Sequence, residues 1–172
     1  MSTTVMAWER TVSAMEEERP QYRTAIDIDA TPEAVWSVLV DVEQWPSWTA
    51  SMNRVTRLDS GAFGLGSAVR VEQPRLPATV LRVTAFEHGT SFTWTARSPG
   101  LETGARHALI PRDGGGVSVV LEIRQSGALA WLVGLLTSRL TRRYMEMEAA
   151  GLKQHCERGA TGTAAGSAGS GR

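Results

Sequence analysis

One histidine in this chain lies where a side chain can do acid–base chemistry on an apolar surface. His107 belongs to the run "TGARHALI", and the residues two positions away on either side, Ala105 and Leu109, are apolar. On a strand these three side chains share one face. A histidine there can donate a hydrogen bond to a ligand carbonyl or act as an acid or base near neutral pH. The competing interpretation is a core histidine whose hydrogen bonds are satisfied inside the protein.

Two side chains nearer the C-terminus are the other candidates for catalysis. The guanidinium of Arg139 or the phenol of Tyr144, if directed into a pocket, would orient a carboxylate or an enolate of a ligand. Arg139 borders the apolar face of its helix, so the competing interpretation has its charged end extending to solvent. Together with His107, these two residues make up the catalytic hypothesis.

No metal site and no cofactor are expected. The histidines His88, His107 and His155 do not have the spacing of metal ligands, and Cys156 is the only cysteine. The glycines of "GAFGLG" at 61–66 join two strands and open no helix, which argues against a dinucleotide-binding fingerprint. The sequence contains no Gly-x-Ser-x-Gly element for a serine nucleophile.

Tryptophan is concentrated in "DATPEAVWSVLVDVEQWPSWTASMNRV", residues 29–55. Trp45 and Trp48 flank a proline, and they either form an aromatic gate at the mouth of a pocket or hold a short helix against the sheet. Trp36 points from the first helix and is interpreted as core. Trp94, in the middle of a strand, either lines the pocket or packs beneath the long helix.

Small-molecule pockets are mostly apolar and carry a few polar side chains that orient the ligand. Gln73 and Gln125 lie on strand faces with apolar neighbours, and each is either such a polar contact or a strand-end residue in water. The residues predicted to contact a ligand are Trp48, Met52, Gln73, Trp94, His107, Leu136 and Leu140.

The elements that must position these residues begin with a strand and two short helices. "YRTAIDID" at 22–29 alternates, which is typical of a half-buried strand. Thr31 precedes Pro32 in "TPEAVWSVLV", the pattern of an N-cap followed by proline in the first helical turn. A second short helix is predicted to begin at Asp41 and to end at Pro46, because proline disfavours helical conformation in the residue before it.

Residues 51–126 lose the helical period and carry turn signals between β-rich runs. We predict six strands there in an antiparallel meander, with Leu81, Val83 and Ala85 on one face of their strand. A helix of about 30 residues follows over 128–157 and would be ~45 Å long. Its predicted apolar face comprises Leu132, Leu136, Leu140, Tyr144 and Met147.

One domain is expected over 21–158, after an N-terminal arm or loose helix at 1–20 and before a disordered Gly/Ala/Ser tail at 159–172. The 18 basic and 18 acidic side chains cancel, which argues against a nucleic-acid partner and against a polybasic membrane anchor. The longest apolar run, "ALAWLVGLL", is too short for membrane insertion, and no signal-peptide pattern is present. We therefore expect a cytoplasmic location, and the oligomeric state stays open.

This α+β order of elements resembles the START-like helix-grip (SRPBCC) superfamily, and within it the polyketide cyclase/dehydrase and lipid transport group. The resemblance covers 21–157 and is carried by "IDIDATPEAVWSVLVDVEQWPSW", "FTWTARSPG", "HALIPRDGGGVSVVLEI" and "RLTRRYMEMEAAGLK". It implies a seven-stranded curved antiparallel sheet wrapped around the long C-terminal helix. Because strands twist, the sheet curls, and we expect an elongated cavity with its mouth near the two short helices.

Members of this superfamily bind lipids, sterols, plant hormones or polyketides, and only some are catalysts. The first hypothesis is a binding protein for a lipid-like, isoprenoid or polyketide molecule, since no acid–base pair is evident. The second is a polyketide aromatase/cyclase or dehydratase in which His107, Tyr144 or Arg139 handles protons or holds an enolate. A third, a protein-interaction role for the outer sheet face, is disfavoured by charges such as Arg70 and Glu122 on that face.

Overall fold

The computed structural model describes residues 21–166, with side chains described for 21–159. The strands are β1 Tyr22–Ile28, β2 Arg54–Arg57, β3 Ala68–Glu72, β4 Thr79–Glu87, β5 Ser91–Ser98, β6 Leu101–Pro111 and β7 Val117–Ser126. The α-helices are α1 Pro32–Val40, α2 Trp45–Trp48 and α3 Ala130–Gly166, with a 3₁₀ turn at Val42–Gln44. The predicted arm at 1–20 and the end of the predicted tail, 167–172, lie outside the described residues.

The seven strands form one antiparallel sheet in the order β1-β7-β6-β5-β4-β3-β2. From β2 to β7 each strand pairs with the next one along the chain, which confirms the predicted meander. β1 joins the sheet beside β7, with Tyr22 opposite Ile123 and Ile28 opposite Val117. With α3 against the concave face, this is the predicted helix-grip fold.

Helix α1 begins as the sequence predicts, whereas the second short helix does not. Thr31 accepts a hydrogen bond from the backbone N–H of Ala34 (3.3 Å), and Pro32 occupies the first turn. The prediction that Pro46 ends a helix is wrong, because Trp45 has helical backbone angles (φ −53°, ψ −40°) and Pro46 lies in the first turn of α2. Proline is tolerated there because a first-turn N–H has no intrahelical acceptor.

Strand β4 changes its register with β5 between Val83 and Ala85. Val83 is buried and Ala85 is exposed, while Phe86 pairs with Phe92 and packs against the core. The extra residue of a β-bulge inverts the alternation of faces beyond it. The prediction that Ala85 shares the face of Leu81 and Val83 is therefore wrong.

Helix α3 lies where it is predicted, but a different face turns inward. Its buried side chains are Tyr144, Met145, Glu148, Ala149, Leu152 and Cys156. Towards the N-terminus, steps of three and four residues continue this face to Thr141 and Thr137, which line the inner side of the helix. Leu132 and Leu136, by contrast, are 37% and 74% exposed. The predicted apolar stripe is therefore wrong for the first half of the helix.

The second half of α3 is held closely against the start of the chain. At Gly151 a Cβ atom would overlap the carbonyl oxygen of Trp48, so glycine allows the backbones of α3 and α2 to touch. Near the end of β1, the backbone N–H of Asp29 donates to Glu157 of α3 at 3.0 Å. The helix continues to Gly166, past the predicted boundary at 158.

The packed core occupies one end of the molecule. Fully buried side chains from α1, α2, the central strands and the second half of α3 meet there, among them Leu39, Trp45, Val119 and Leu152. At the other end, the first half of α3 stands over the sheet on smaller side chains. None of the helices in the described part of the chain has both the length and the hydropathy needed to cross a bilayer.

Candidate functional site

A cavity of about 670 Å³ lies between the inner face of the sheet and the first half of α3. Its walls come from β3 to β7, from the β3–β4 loop and from α3 between Val133 and Glu148. Among the lining residues, Pro77 and Ala78 of the β3–β4 loop and Arg97 and Ser98 at the end of β5 are exposed. The cavity therefore opens there, at the end away from the packed core.

The floor of the cavity is built by pairs of residues on β6 and β7. His107 lies opposite Leu121, Ala105 opposite Ile123, and Thr103 opposite Gln125. All six line the cavity, because every second side chain of a strand points to the same face. The floor thus carries the imidazole of His107 at its inner end, aliphatic side chains in the middle and polar side chains at its outer end.

At the inner end of the cavity, β6 and α3 are joined by a buried hydrogen bond. The distance from Nε2 of His107 to Oε1 of Glu148 is 2.9 Å, and the two residues are 3% and 9% exposed. A buried carboxylate requires such a partner, because it loses its hydration on burial. When Nε2 carries the proton and donates to Glu148, Nδ1 is the basic nitrogen of the neutral ring. Nδ1 is buried and has no hydrogen-bond partner among the described residues.

Three aromatic side chains enclose the ring of His107. Phe92 stacks on it, with ring centroids 4.6 Å apart and an interplanar angle of 15°, while Trp45 and Trp94 approach edge-on at 5.2 and 5.5 Å. The enclosure fixes the orientation of the imidazole and excludes water from it. In such an apolar setting a hydrogen bond between His107 and Glu148 is stronger than it would be in water.

Two further predicted polar residues line the cavity but already have partners. The hydroxyl of Tyr144 donates to the backbone oxygen of Pro74 in the β3–β4 loop. The amide Nε2 of Gln73 donates to the backbone oxygen of Ser51 at 3.3 Å. Both bonds attach the rim of the cavity to neighbouring segments, so these side chains position the wall as well as line it.

A polar group of three side chains lies at the outer end of the cavity. Gln125 faces Thr103 across the strand pair, and Thr137 lines the opposite wall from α3. The hydroxyl of Thr137 donates to the backbone oxygen of Val133 at 2.8 Å. Oε1 of Gln125, by contrast, is buried and without a hydrogen-bond partner in the described part of the chain.

The structure brings six of the residues singled out in the sequence into the cavity wall: Met52, Gln73, Trp94, His107, Gln125 and Tyr144. Leu136 and Leu140 lie outside it, because the inward face of α3 is rotated away from them. Arg139 is also outside the wall and is exposed, in agreement with the interpretation that its charged end extends to solvent.

Trp48 does not stand at the mouth of the cavity. It is 9% exposed, its ring packs on Trp45 with centroids 5.3 Å apart, and its backbone lies against Gly151 of α3. The expected doorway beside the short helices is closed by this packing. The structure thus supports the alternative interpretation, in which the tryptophan holds α2 against the rest of the domain.

Sequence reasoning missed Glu148, which is absent from the predicted apolar face of α3. A signal was present, because Thr137, Thr141, Tyr144 and Glu148 follow one another at spacings of three and four. Once Tyr144 is placed inward, the same face must carry the glutamate. Because three of these four side chains are threonine or glutamate, a search for apolar residues at helical spacing does not detect this face.

Cys156 is not a candidate nucleophile. Burial, with a contribution from the charge of Glu157, raises the pKa of its thiol from 9.0 to about 11. At neutral pH the side chain is therefore a protonated thiol, whereas the thiolate is the reactive form. In the described residues no cluster of His, Cys, Asp and Glu could hold a metal ion.

Several solved structures share this fold. The aromatase/cyclase Zhui of Streptomyces sp. R1128 superposes with a TM-score of 0.67 at 15% identity, over 80% of this chain and 93% of that one. A START superfamily protein of Mycobacterium smegmatis gives a TM-score of 0.62 at 14% identity, over 80% and 97% of the two chains. At these identities the likeness concerns the fold alone.

An uncharacterized protein of Mycobacterium tuberculosis has a higher sequence identity to this chain, 35%, but over only 51 residues. The match spans about 30% of this chain and about 30% of that relative. A family model, by contrast, matches residues 19–157, which is the helix-grip domain from before β1 to near the end of α3. The chain belongs to the family described as polyketide cyclase / dehydrase and lipid transport.

Proposed function

We propose that the protein binds a hydrophobic small molecule in the cavity between the sheet and helix α3. The observation that carries this proposal is the cavity itself. Its volume of about 670 Å³ lies within the range of roughly 300–1,000 Å³ that is usual for small-molecule sites. The description of the family, which joins polyketide chemistry with lipid transport, points to the same class of ligand.

The composition of the wall favours an apolar guest. Aliphatic and thioether side chains come from β3 to β7, from α3 and from the segment before β2: Met52, Val71, Leu81, Ala96, Leu101, Leu121, Ile123, Val133 and Met145. Burying about 200 Å² of apolar ligand surface would contribute roughly 5 kcal/mol before the costs of association. The few polar side chains, such as Gln125 and His107, would then orient the ligand.

Binding is tested by titration with 1-anilinonaphthalene-8-sulfonate, whose fluorescence rises in an apolar site. Ala105, in the middle of the floor, is replaced by tryptophan to fill the cavity. We expect the dye affinity to fall at least tenfold in Ala105→Trp. The matched control is Ala150→Trp at an exposed position of α3, which should bind as the unsubstituted protein does. Equal affinities in the two variants would place the dye outside the cavity and remove the proposal.

A second candidate function, a polyketide aromatase/cyclase or dehydratase, is favoured by the pairing of His107 with Glu148. With Nε2 donating to the carboxylate, Nδ1 can take a proton from the carbon between two ketones, and Glu148 stabilises the imidazolium that results. The carbanion then attacks a carbonyl carbon of the same chain, which forms one C–C bond. The imidazolium returns the proton to the resulting alkoxide, which gives a hydroxyl and restores the neutral ring. In a second cycle, Nδ1 takes the remaining proton from the attacking carbon and delivers it to the departing hydroxyl, so that a C=C bond forms and one water leaves.

This candidate is tested with a synthetic linear 1,3,5,7-tetraketone, whose cyclisation is followed by the absorbance of the aromatic product. General acid–base catalysis typically contributes 10²- to 10⁴-fold, so His107→Ala should slow turnover at least 100-fold. Dye binding by the same variant serves as the control for folding. If the unsubstituted protein leaves the rate of spontaneous cyclisation unchanged, the enzymatic function is rejected for this substrate class and the binding function stands.

A further inference from the structure

We infer that the cavity accepts an elongated ligand with a hydrogen-bonding oxygen at each end of an apolar body. This inference rests on the proposed binding function and specifies the ligand class. It follows from the position of two buried hydrogen-bonding sites at opposite ends of one cavity and from the aliphatic floor between them.

The inner site is the pair His107 and Glu148. Both residues line the cavity and are more than nine-tenths buried. Their mutual hydrogen bond uses Nε2 of the imidazole and Oε1 of the carboxylate, and it leaves Nδ1 buried and without a partner among the described residues. A hydroxyl of a ligand, which donates to Nδ1, is the group that would satisfy this end.

The outer site is centred on Gln125, which lies four residues along β7 from Leu121 at the inner end. Its Oε1 is buried with no hydrogen-bond partner in the part of the chain that the structure describes. The backbone of α3 lies directly above it, since a Cβ atom at Gly134 would be 3.5 Å from that oxygen. Thr103 lies opposite on β6. A ligand hydroxyl can donate to the amide oxygen and accept from the threonine.

Between the two sites, the paired residues of β6 and β7 that form the floor have no polar side chain. Ala105 and Ile123 form the intervening pair, and Met145 lies on the wall formed by α3. A polar atom on the side of the ligand that faces this floor would be buried without a partner, which is unfavourable. The face of the ligand that lies on the floor is therefore apolar over this stretch, while Thr141 is the polar side chain of the α3 wall there.

The register of the strands gives the distance between the two ends. Thr103 and His107 are four residues apart on β6, as are Leu121 and Gln125 on β7. At roughly 3.3 Å per residue, the sites are about 13 Å apart. With C–C bonds of about 1.5 Å, which advance ~1.3 Å each in an extended chain, about ten carbons span this distance.

The test measures how α,ω-alkanediols and 1-alkanols of six to twelve carbons displace 1-anilinonaphthalene-8-sulfonate from the cavity. For the alkanols, affinity should rise steadily with chain length. For the diols, the affinity relative to the alkanol of equal length should pass through a maximum near ten carbons. This comparison uses the unsubstituted protein, so it does not depend on the folding of a variant.

A substitution then assigns the outer site. We expect the Gln125→Leu variant to bind 1,10-decanediol about tenfold more weakly than the unsubstituted protein does, and to bind 1-decanol with unchanged affinity. The matched control is Gln154→Leu, at an exposed position of α3. A relative diol affinity that does not depend on chain length, or equal losses for diol and alkanol in Gln125→Leu, would overturn the two-ended ligand. If neither series displaces the dye, the proposed binding function itself fails.

Discussion

The hydrogen bond between His107 and Glu148 joins the sheet to helix α3 at the inner end of the cavity. The two residues are 41 positions apart in the chain, so their contact exists only when the sheet and the helix have packed. Both are buried, and the loss of either one leaves the other without a partner in a region that excludes water. The same geometry that suits acid–base chemistry therefore also contributes to stability.

Replacing Glu148 with alanine should lower the free energy of unfolding by about 1–3 kcal/mol, because Nε2 of His107 would remain buried without a hydrogen bond. Urea unfolding followed by circular dichroism measures the change. The matched control is Glu146→Ala, an exposed glutamate one position from the inward face, for which a change within about 0.5 kcal/mol is expected. Equal losses in the two variants would contradict a stabilising role of the buried pair.

The thiol of Cys156 predicts a stability change at alkaline pH. Burial raises its pKa to about 11, from 9.0 for a free thiol, so the folded protein holds this proton more tightly than the unfolded chain. The stability that the thiol contributes is therefore complete below pH 9 and is lost as the pH rises towards 11. Between pH 8 and 11 the urea midpoint should fall more steeply in the unsubstituted protein than in Cys156→Ala. Parallel profiles would show that the thiol does not ionise on unfolding.

The two halves of helix α3 pack against different surroundings. Its second half packs tightly on α1, α2 and β1 and belongs to the core, whereas its first half forms one wall of the cavity with Val133, Thr137 and Thr141. Large side chains of the first half, Trp131, Leu135 and Leu136, are at least 70% exposed. The helix is therefore anchored in the core by its second half. Its first half, where the backbone oxygen of Gly134 accepts a hydrogen bond from the hydroxyl of Tyr22 at 3.3 Å, borders the opening of the cavity.

The anchor can be tested at Gly151. A methyl group there would overlap the backbone oxygen of Trp48, so Gly151→Ala should destabilise the protein by about 1–3 kcal/mol, as overpacking typically does. The matched control is Gly159→Ala on the same helix, where a Cβ meets open space. Alanine favours helix over glycine by up to ~1 kcal/mol, so the control should be neutral or stabilising. Thermal unfolding of both variants measures the difference, and a stabilised Gly151→Ala would contradict the close contact.

The molecule as a whole separates its packed core from its cavity along the axis of the sheet. Trp45, Leu39 and Leu152 fill one end, while smaller side chains such as Ala96 and Ala105 leave the other end open. The outer sheet face carries ion pairs, including Arg23 and Arg106 with the two oxygens of Glu122. A domain arranged in this way can hold a guest at one end without disturbing the packing at the other.

A ligand that occupies the open end should stabilise the whole domain by mass action. With 1-decanol at ten times its Kd, the expected gain is about 1.4 kcal/mol, seen as a rise in Tm that grows with the alcohol concentration. Ala105→Trp should abolish the rise because its side chain fills the cavity, and Ala150→Trp should retain it. A rise of equal size in both variants would assign the stabilisation to binding elsewhere.

The sequence by itself determined the strands, their order and the helix-grip fold. Alternation in "VSVVLEI", the cap at Thr31 and the turn signals between strands depend on residues that are neighbours in the chain, so they can be read without coordinates. The same local patterns made His107, Trp94 and Gln73 candidates for ligand contact without deciding which strand face lines the cavity, and all three are found in its wall. The bulge in β4 was missed because it depends on pairing with β5.

Only the tertiary structure decided which face of α3 turns inward, what His107 contacts and where the cavity opens. Apolar residues occur on two faces of the first half of α3, and packing of the second half through Gly151 and Leu152 fixes the rotation of the whole helix. That rotation turns Leu136 outward and brings Glu148 to His107. A rotation of a rigid helix is set by its distant contacts, and these leave no local pattern in the sequence.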